Sequence, residues 1–132
     1  MPNNQIRIHD NEITSYEFHL PEKRLTLNTS YQSENTKVHF LHVLAYSFDG
    51  AGDQNILFEI TDNSIKGFVN WYASHADTQK ALEYGFPLKG FPNPEALLTF
   101  LKAEGYQYYE VNASVGLDGF VLAKDMKMVP VV

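Results

Sequence analysis

Cysteine is missing from this chain of 132 residues. Its absence removes a disulfide framework, a thiolate metal site and a cysteine nucleophile together. Long apolar runs are missing as well, since no stretch approaches the roughly 20 residues that a membrane-crossing helix needs. The opening Met1-Pro2-Asn3-Asn4-Gln5 has neither the basic nor the apolar part of a secretory signal, so a cytoplasmic protein without membrane association is expected. Positive charge is scarce too: 10 Lys and Arg stand against 16 Asp and Glu, for a net charge of −6. Nucleic-acid affinity comes largely from basic side chains neutralising phosphates, so the charge balance argues against nucleic acid as a partner. It favours a basic protein, whose encounter a cluster of acids accelerates.

Motifs that would announce catalysis or a cofactor are equally absent. Gly50-Ala51-Gly52 looks like the start of a phosphate loop, but Asn55 stands where a dinucleotide fingerprint needs its third glycine, and no Gly-Lys-Ser/Thr follows. As a calcium loop the same stretch fails, because Ala51 and Ile60 occupy positions that an EF-hand fills with oxygen donors. His39 and His42 are spaced like a metal pair, yet on a strand an odd separation sends their imidazoles to opposite faces. No Gly-x-Ser-x-Gly elbow occurs, and none of the five histidines has a local signature pairing it with a nucleophile. No metal, no cofactor and no catalytic residue is therefore expected.

What is present is an ample supply for a core. Hydrophobic residues make up 44% of the chain and aromatics 14%, which excludes a disordered protein, and the length suits a single domain spanning 1–132. Thr14, Tyr16, Phe18 and Leu20 alternate with polar residues, as do Leu25, Leu27 and Tyr31, which predicts two strands joined by the turn Pro21-Glu22-Lys23. Both faces of the run from Val38 to Phe48 are mostly apolar, predicting one central strand covered on two sides. Ile56, Phe58 and Ile60 supply the buried face expected of the next strand.

The period then changes. Ile65, Phe68, Val69, Tyr72, Ala73 and Ala76 form a helical stripe, with Asp62, Asn63 or Ser64 available as cap, and the spacing predicts a helix running toward Tyr84 and ending at Gly85. A second helix is marked at both ends, by Asn93 as cap with Pro94 in the first turn and by Gly105 just past the end, with Leu97, Leu98 and Leu101 on its apolar face. Tyr106 to Ala113 and Phe120 to Val129 read as a closing pair of strands around Gly116-Leu117-Asp118-Gly119. The fold class that follows is α+β, a curved and mainly antiparallel sheet with two helices packed on one face.

The stretch Val38 to Ile65 combines four acids with no Lys or Arg and flanks the turn Asp49-Gly50-Ala51-Gly52-Asp53. It predicts a hairpin with a concentrated negative charge. Asp49, Asp53 and Asp62 are the candidate steering charges for a basic partner. Trp71 and His75, four apart on the first helix, are candidate contact residues, tryptophan being a favoured interface anchor. In Tyr106, Tyr108 and Tyr109, sheet packing is expected rather than base stacking, because no basic groove accompanies them.

Three blocks, His42-Val43-Leu44-Ala45-Tyr46-Ser47-Phe48, Asn55-Ile56-Leu57-Phe58-Glu59-Ile60 and Tyr106 to Phe120, resemble small bacterial domains of the kind encoded near polymorphic toxins and held to act as immunity proteins. The resemblance implies a cytoplasmic bacterial protein that binds and blocks a toxin without chemistry of its own, and it carries over no functional residue. Two function classes thus stand side by side. One is a non-catalytic protein-binding module, an immunity-type inhibitor in its most concrete form. The other is a small enzyme or ligand-binding domain with a pocket between sheet and helices.

Overall fold

The computed structural model describes residues 8–74 and 91–131. The strands are β1 (Glu12–His19), β2 (Arg24–Tyr31), β3 (Glu34–Leu41), β4 (Ala45–Asp49), β5 (Ile56–Asn63), β6 (Gln107–Val115), β7 (Asp118–Ala123) and β8 (Asp125–Val131). Between β5 and β6 lie the helices α1 (Ile65–Ser74) and α2 (Pro94–Ala103). All eight strands belong to one antiparallel sheet in the order β4-β7-β6-β5-β1-β2-β3-β8. The fold is α+β, as the sequence predicts.

Two expected strands turn out to be bent pairs. The run Val38–Phe48 breaks at His42, whose φ of 55° no strand accommodates, and divides into β3 and β4. Its partner breaks at Lys124 and divides into β7 and β8. β3 pairs with β8 and β4 with β7, so the two chain segments run together through one corner. Backbone hydrogen bonds from Lys124 N to Leu41 O (3.0 Å) and from Leu44 N to Leu122 O (2.8 Å) fasten it. The result is two four-stranded halves, β4-β7-β6-β5 and β1-β2-β3-β8, folded face to face without closing. Away from the corner Glu12 of β1 meets Ile56 of β5, and backbone hydrogen bonds from Asp10 N to Leu57 O (2.9 Å), Leu57 N to Asn11 O (2.9 Å) and Ile13 N to Asn55 O (2.7 Å) extend that junction.

The space between the halves is the main core. Leu25, Leu27, Val38 and Phe40 from one half meet Leu57, Tyr109, Val111 and Val121 from the other, all buried. Phe40 and Tyr109 bring their rings within 5.5 Å, and Tyr16 of β1 lies 5.0 Å from Phe48 of β4. The alternate residues of β4, β6 and β7 face outward and form a second core under the helices. Ala45, Phe120 and Leu122 pack there against Phe68, Val69 and Tyr72 of α1 and Leu97 and Leu101 of α2. Among the described residues this half of the sheet is the one covered on both faces, which explains the doubly apolar character of β4 and β7.

The helix ends behave as their sequences require. Asn93 Oδ1 accepts from Ala96 N at 2.8 Å, Pro94 follows it, and Gly105 just beyond α2 has φ 81°. Ser64 caps α1 by accepting from Gly67 N at 3.1 Å. The expected continuation of α1 through Ala76 to Tyr84 and Gly85 lies outside the described residues.

Two sequence expectations need correction. The stretch around Asp49–Asp53 is not a hairpin turn, because β7 and β6 lie between β4 and β5 in the sheet. It is a crossing connection, and Asn55 clamps it: its Oδ1 accepts from Gly52 N (3.0 Å) and Leu117 N (3.1 Å), and its Nδ2 donates to Gly52 O (2.9 Å). Phe58 does not face the core either. Register shifts on both sides of Leu57 interrupt the alternation of β5, so Leu57 is fully buried while Phe58 is 48% exposed, its ring against His9. A bulge reverses which residues point inward, and no local pattern announces it.

Candidate functional site

On the outer face of the first half, cross-strand register places side chains in rows. Ala45, Leu122, Tyr108 and Asn63 oppose one another in the first row, and Ser47, Phe120, Glu110 and Thr61 in the second. The third row contains Asp49 opposite Asp118 and Asn112 opposite Glu59. α1 covers the first row and part of the second, leaving a groove of about 570 Å³ beside it. Phe68 and Trp71 of α1 make one wall, Phe120 and Tyr108 the floor, and Glu110, Asn63 and Ser64 the polar end.

The aromatic lining is mutually braced. Trp71 stands edge-on to Phe120 at 6.0 Å and lies 6.1 Å from Phe68, while Phe68 meets Tyr108 at 5.1 Å and Phe120 at 5.2 Å. Phe68 is buried, whereas Trp71 keeps 38% of its surface exposed, so the indole forms a rim that a partner can touch. The Glu110 carboxylate is held from two sides, Tyr108 OH donating to Oε2 at 3.0 Å and Asn63 Nδ2 to Oε1 at 2.6 Å. Burial, and then the neighbouring Glu110, push the Tyr108 hydroxyl far above its ordinary value, so it remains a donor. Among the described residues Glu110 has no ion-pair partner, and no Lys or Arg lines the groove.

The sequence-derived candidates fall in different places. Asp49 ends β4 in the acidic third row, exposed and directly opposite Asp118. Asp53 is exposed on the clamped connection at that same end of the sheet. Asp62 opposes Tyr109 rather than Tyr108, which puts it on the face away from the groove. There, after burial, it helps to raise the Tyr109 hydroxyl to about 12. Trp71 lines the groove, and His75 lies outside the described residues. Sequence reasoning missed Glu110 and Asp118, and it counted Glu59 in the acidic stretch without naming it as a candidate. Glu110 and Asp118 are isolated acids in their own segments, and strand pairing gathers them onto one face with Asp49 and Glu59.

The second half carries a mixed outer face, with Glu17 in the same cross-strand row as Thr26, His39 and Lys127. The outer face of the second half carries Arg24, Lys37 and Lys127 around His39, whose imidazole is held below its ordinary value by burial first and then by these three cations. His39 Nδ1 lies 2.8 Å from Thr26 Oγ1. His42, by contrast, sits at the bend with its side chain exposed. No cluster of three or more His, Cys, Asp or Glu suited to a metal occurs among the described residues. None of their helices is long and apolar enough to cross a membrane. Comparison with known proteins matches no family model, no curated protein and no solved structure.

Proposed function

We propose that this protein is a non-catalytic binding module that engages a basic protein through the outer face of β4-β7-β6-β5. The observation that carries the reading is the third row, where Asp49 directly opposes Asp118. Like charges paired across a ladder are destabilising, and here they stand beside Glu59 and a groove lined by no Lys or Arg among the described residues. A surface of this kind steers a basic partner by attraction while Trp71 offers an apolar anchor. Inhibition of a bacterial toxin by an immunity-type protein is the most concrete form of this activity, supported by the resemblance of the three sequence blocks. The test is capture of the partner from the native cell, followed by association rates for wild type and for Asp49→Lys with Glu59→Lys at two salt concentrations. The double variant should associate on the order of tenfold more slowly at low salt, with a weaker salt dependence. Equal rates at both concentrations would remove this face as the steering surface.

A second reading is favoured by the groove itself, whose volume is of the size that takes a small ligand. A ligand-binding domain would use the same aromatic walls. Saturable binding of a small molecule to Trp71, with no protein partner recovered, would support it over the first.

A further inference from the structure

The most specific chemistry on this surface lies in the groove rather than in the exposed acids. It joins a partly exposed aromatic rim to the Glu110 carboxylate, whose position is fixed. We propose that the groove between α1 and the sheet is a receptor for one arginine side chain of the partner, with the guanidinium meeting Glu110 and stacking on Trp71. This rests on the reading of the outer face as partner-binding. The complementarity is chemical. Trp71 is part exposed and lines the same groove as Glu110, so a planar cation meeting that carboxylate also meets aromatic surface, which attracts a guanidinium. Glu110 waits at the polar end, each oxygen already accepting one hydrogen bond, from Tyr108 OH and from Asn63 Nδ2. Each oxygen retains a second acceptor position, which is the pattern a forked guanidinium satisfies.

The two existing donors also do the positioning in advance. A free glutamate side chain loses rotamer freedom when it binds, whereas Glu110 has already been fixed on the sheet by its neighbours. The carboxylate is therefore preorganised, and among the described residues no Lys or Arg of the lining competes for its charge. Lysine would place a compact ammonium near the same carboxylate but would forgo the planar stacking and the fork, so arginine is preferred.

The test uses the whole chain and N-acetyl-arginine-methylamide as probe, with the citrulline analogue as its neutral isostere and the lysine analogue as its rival. Nuclear magnetic resonance of the Trp71 indole N–H reads occupancy. The expected result is a saturable shift with the arginine probe, weaker with lysine and absent with citrulline. Glu110→Gln, which keeps an acceptor for its neighbours, should weaken the arginine probe by about tenfold or more without moving the thermal midpoint appreciably. Trp71→Leu, read through the Tyr108 resonances, should weaken it too. Equal binding of the arginine and citrulline probes, or no saturable shift in a folded wild-type protein, would overturn the assignment. Those results would leave the steering by Asp49 and Glu59 standing on its own kinetic test. An arginine-selective groove combined with charge-insensitive partner association would instead sink the steering reading alone.

Discussion

Replacing Leu57 and Phe58 separately by alanine tests the fold where local pattern and tertiary structure disagree. Strand alternation alone would bury Phe58 beside Ile56 and Ile60, and a large aromatic removed from a core costs about 3–5 kcal/mol. The bulge in β5 reverses this. Leu57 has no exposed surface and sits in the core between the sheet halves, and its neighbour in register is Ala113 of β6. Leu57→Ala should therefore cost about 2–5 kcal/mol, the lost transfer energy together with the cavity left behind. Phe58 retains nearly half its exposure and meets the His9 ring at 5.2 Å. Fully burying such a side chain contributes about 1.5–3 kcal/mol, so half-burial bounds Phe58→Ala near 1 kcal/mol. Urea denaturation followed by tryptophan fluorescence and by circular dichroism gives both midpoints. Unchanged slopes would show that the difference is one of stability rather than of denatured-state compactness. A Phe58→Ala loss equal to or greater than that of Leu57→Ala would refute the bulged register.

Other expectations follow from single contacts. Asn93→Ala should destabilise by about 1 kcal/mol through loss of the α2 cap, and an unchanged urea midpoint would contradict the capping hydrogen bond. Gly119→Ala would drive a Cβ against the backbone carbonyl of Ser47 on β4; we expect a loss of about 3 kcal/mol, and a wild-type melting temperature would show that β4 can yield. Tyr109 titrates near 12 in the folded protein against about 10 when unfolded. Below pH 10 both states keep the proton, and between about 10 and 12 only the folded state does, so stability falls with rising pH across that window. Tyr109→Phe should make the fall shallower, and an identical pH profile would refute its contribution. Exhaustive dialysis against a chelator should leave the melting curve unchanged, whereas loss of structure together with stoichiometric zinc would overturn the expectation of metal independence.

Much of the candidate site could not be read from the sequence for a definable reason. Trp71 was visible because a lone tryptophan beside a helical stripe marks a surface anchor. Asp49 was visible because it stands in a stretch without cations. Glu110 looked like one more polar position on a strand, and its role depends on Tyr108 two residues before it and on Asn63, which is 47 positions away. In sequence Asp62 is equivalent to Asp49, yet pairing with Tyr109 puts it on the opposite face of the sheet.

The sequence by itself determined the element types, the antiparallel α+β class and both ends of α2. Those depend on side-chain period and on local capping, which act within a few residues. It also excluded disulfides and thiolate chemistry outright. Only the tertiary structure decided that Val38–Phe48 bends at His42, that Phe120–Val129 bends at Lys124, and that β4 and β5 are separated by β7 and β6. An apolar run reads the same whether it continues straight or turns a corner, because the corner is fixed by pairing with a strand some eighty residues away in sequence. The acids of the outer face are the clearest case. Which of them share a surface is a matter of register between distant strands, and register is set by the core that those strands jointly bury.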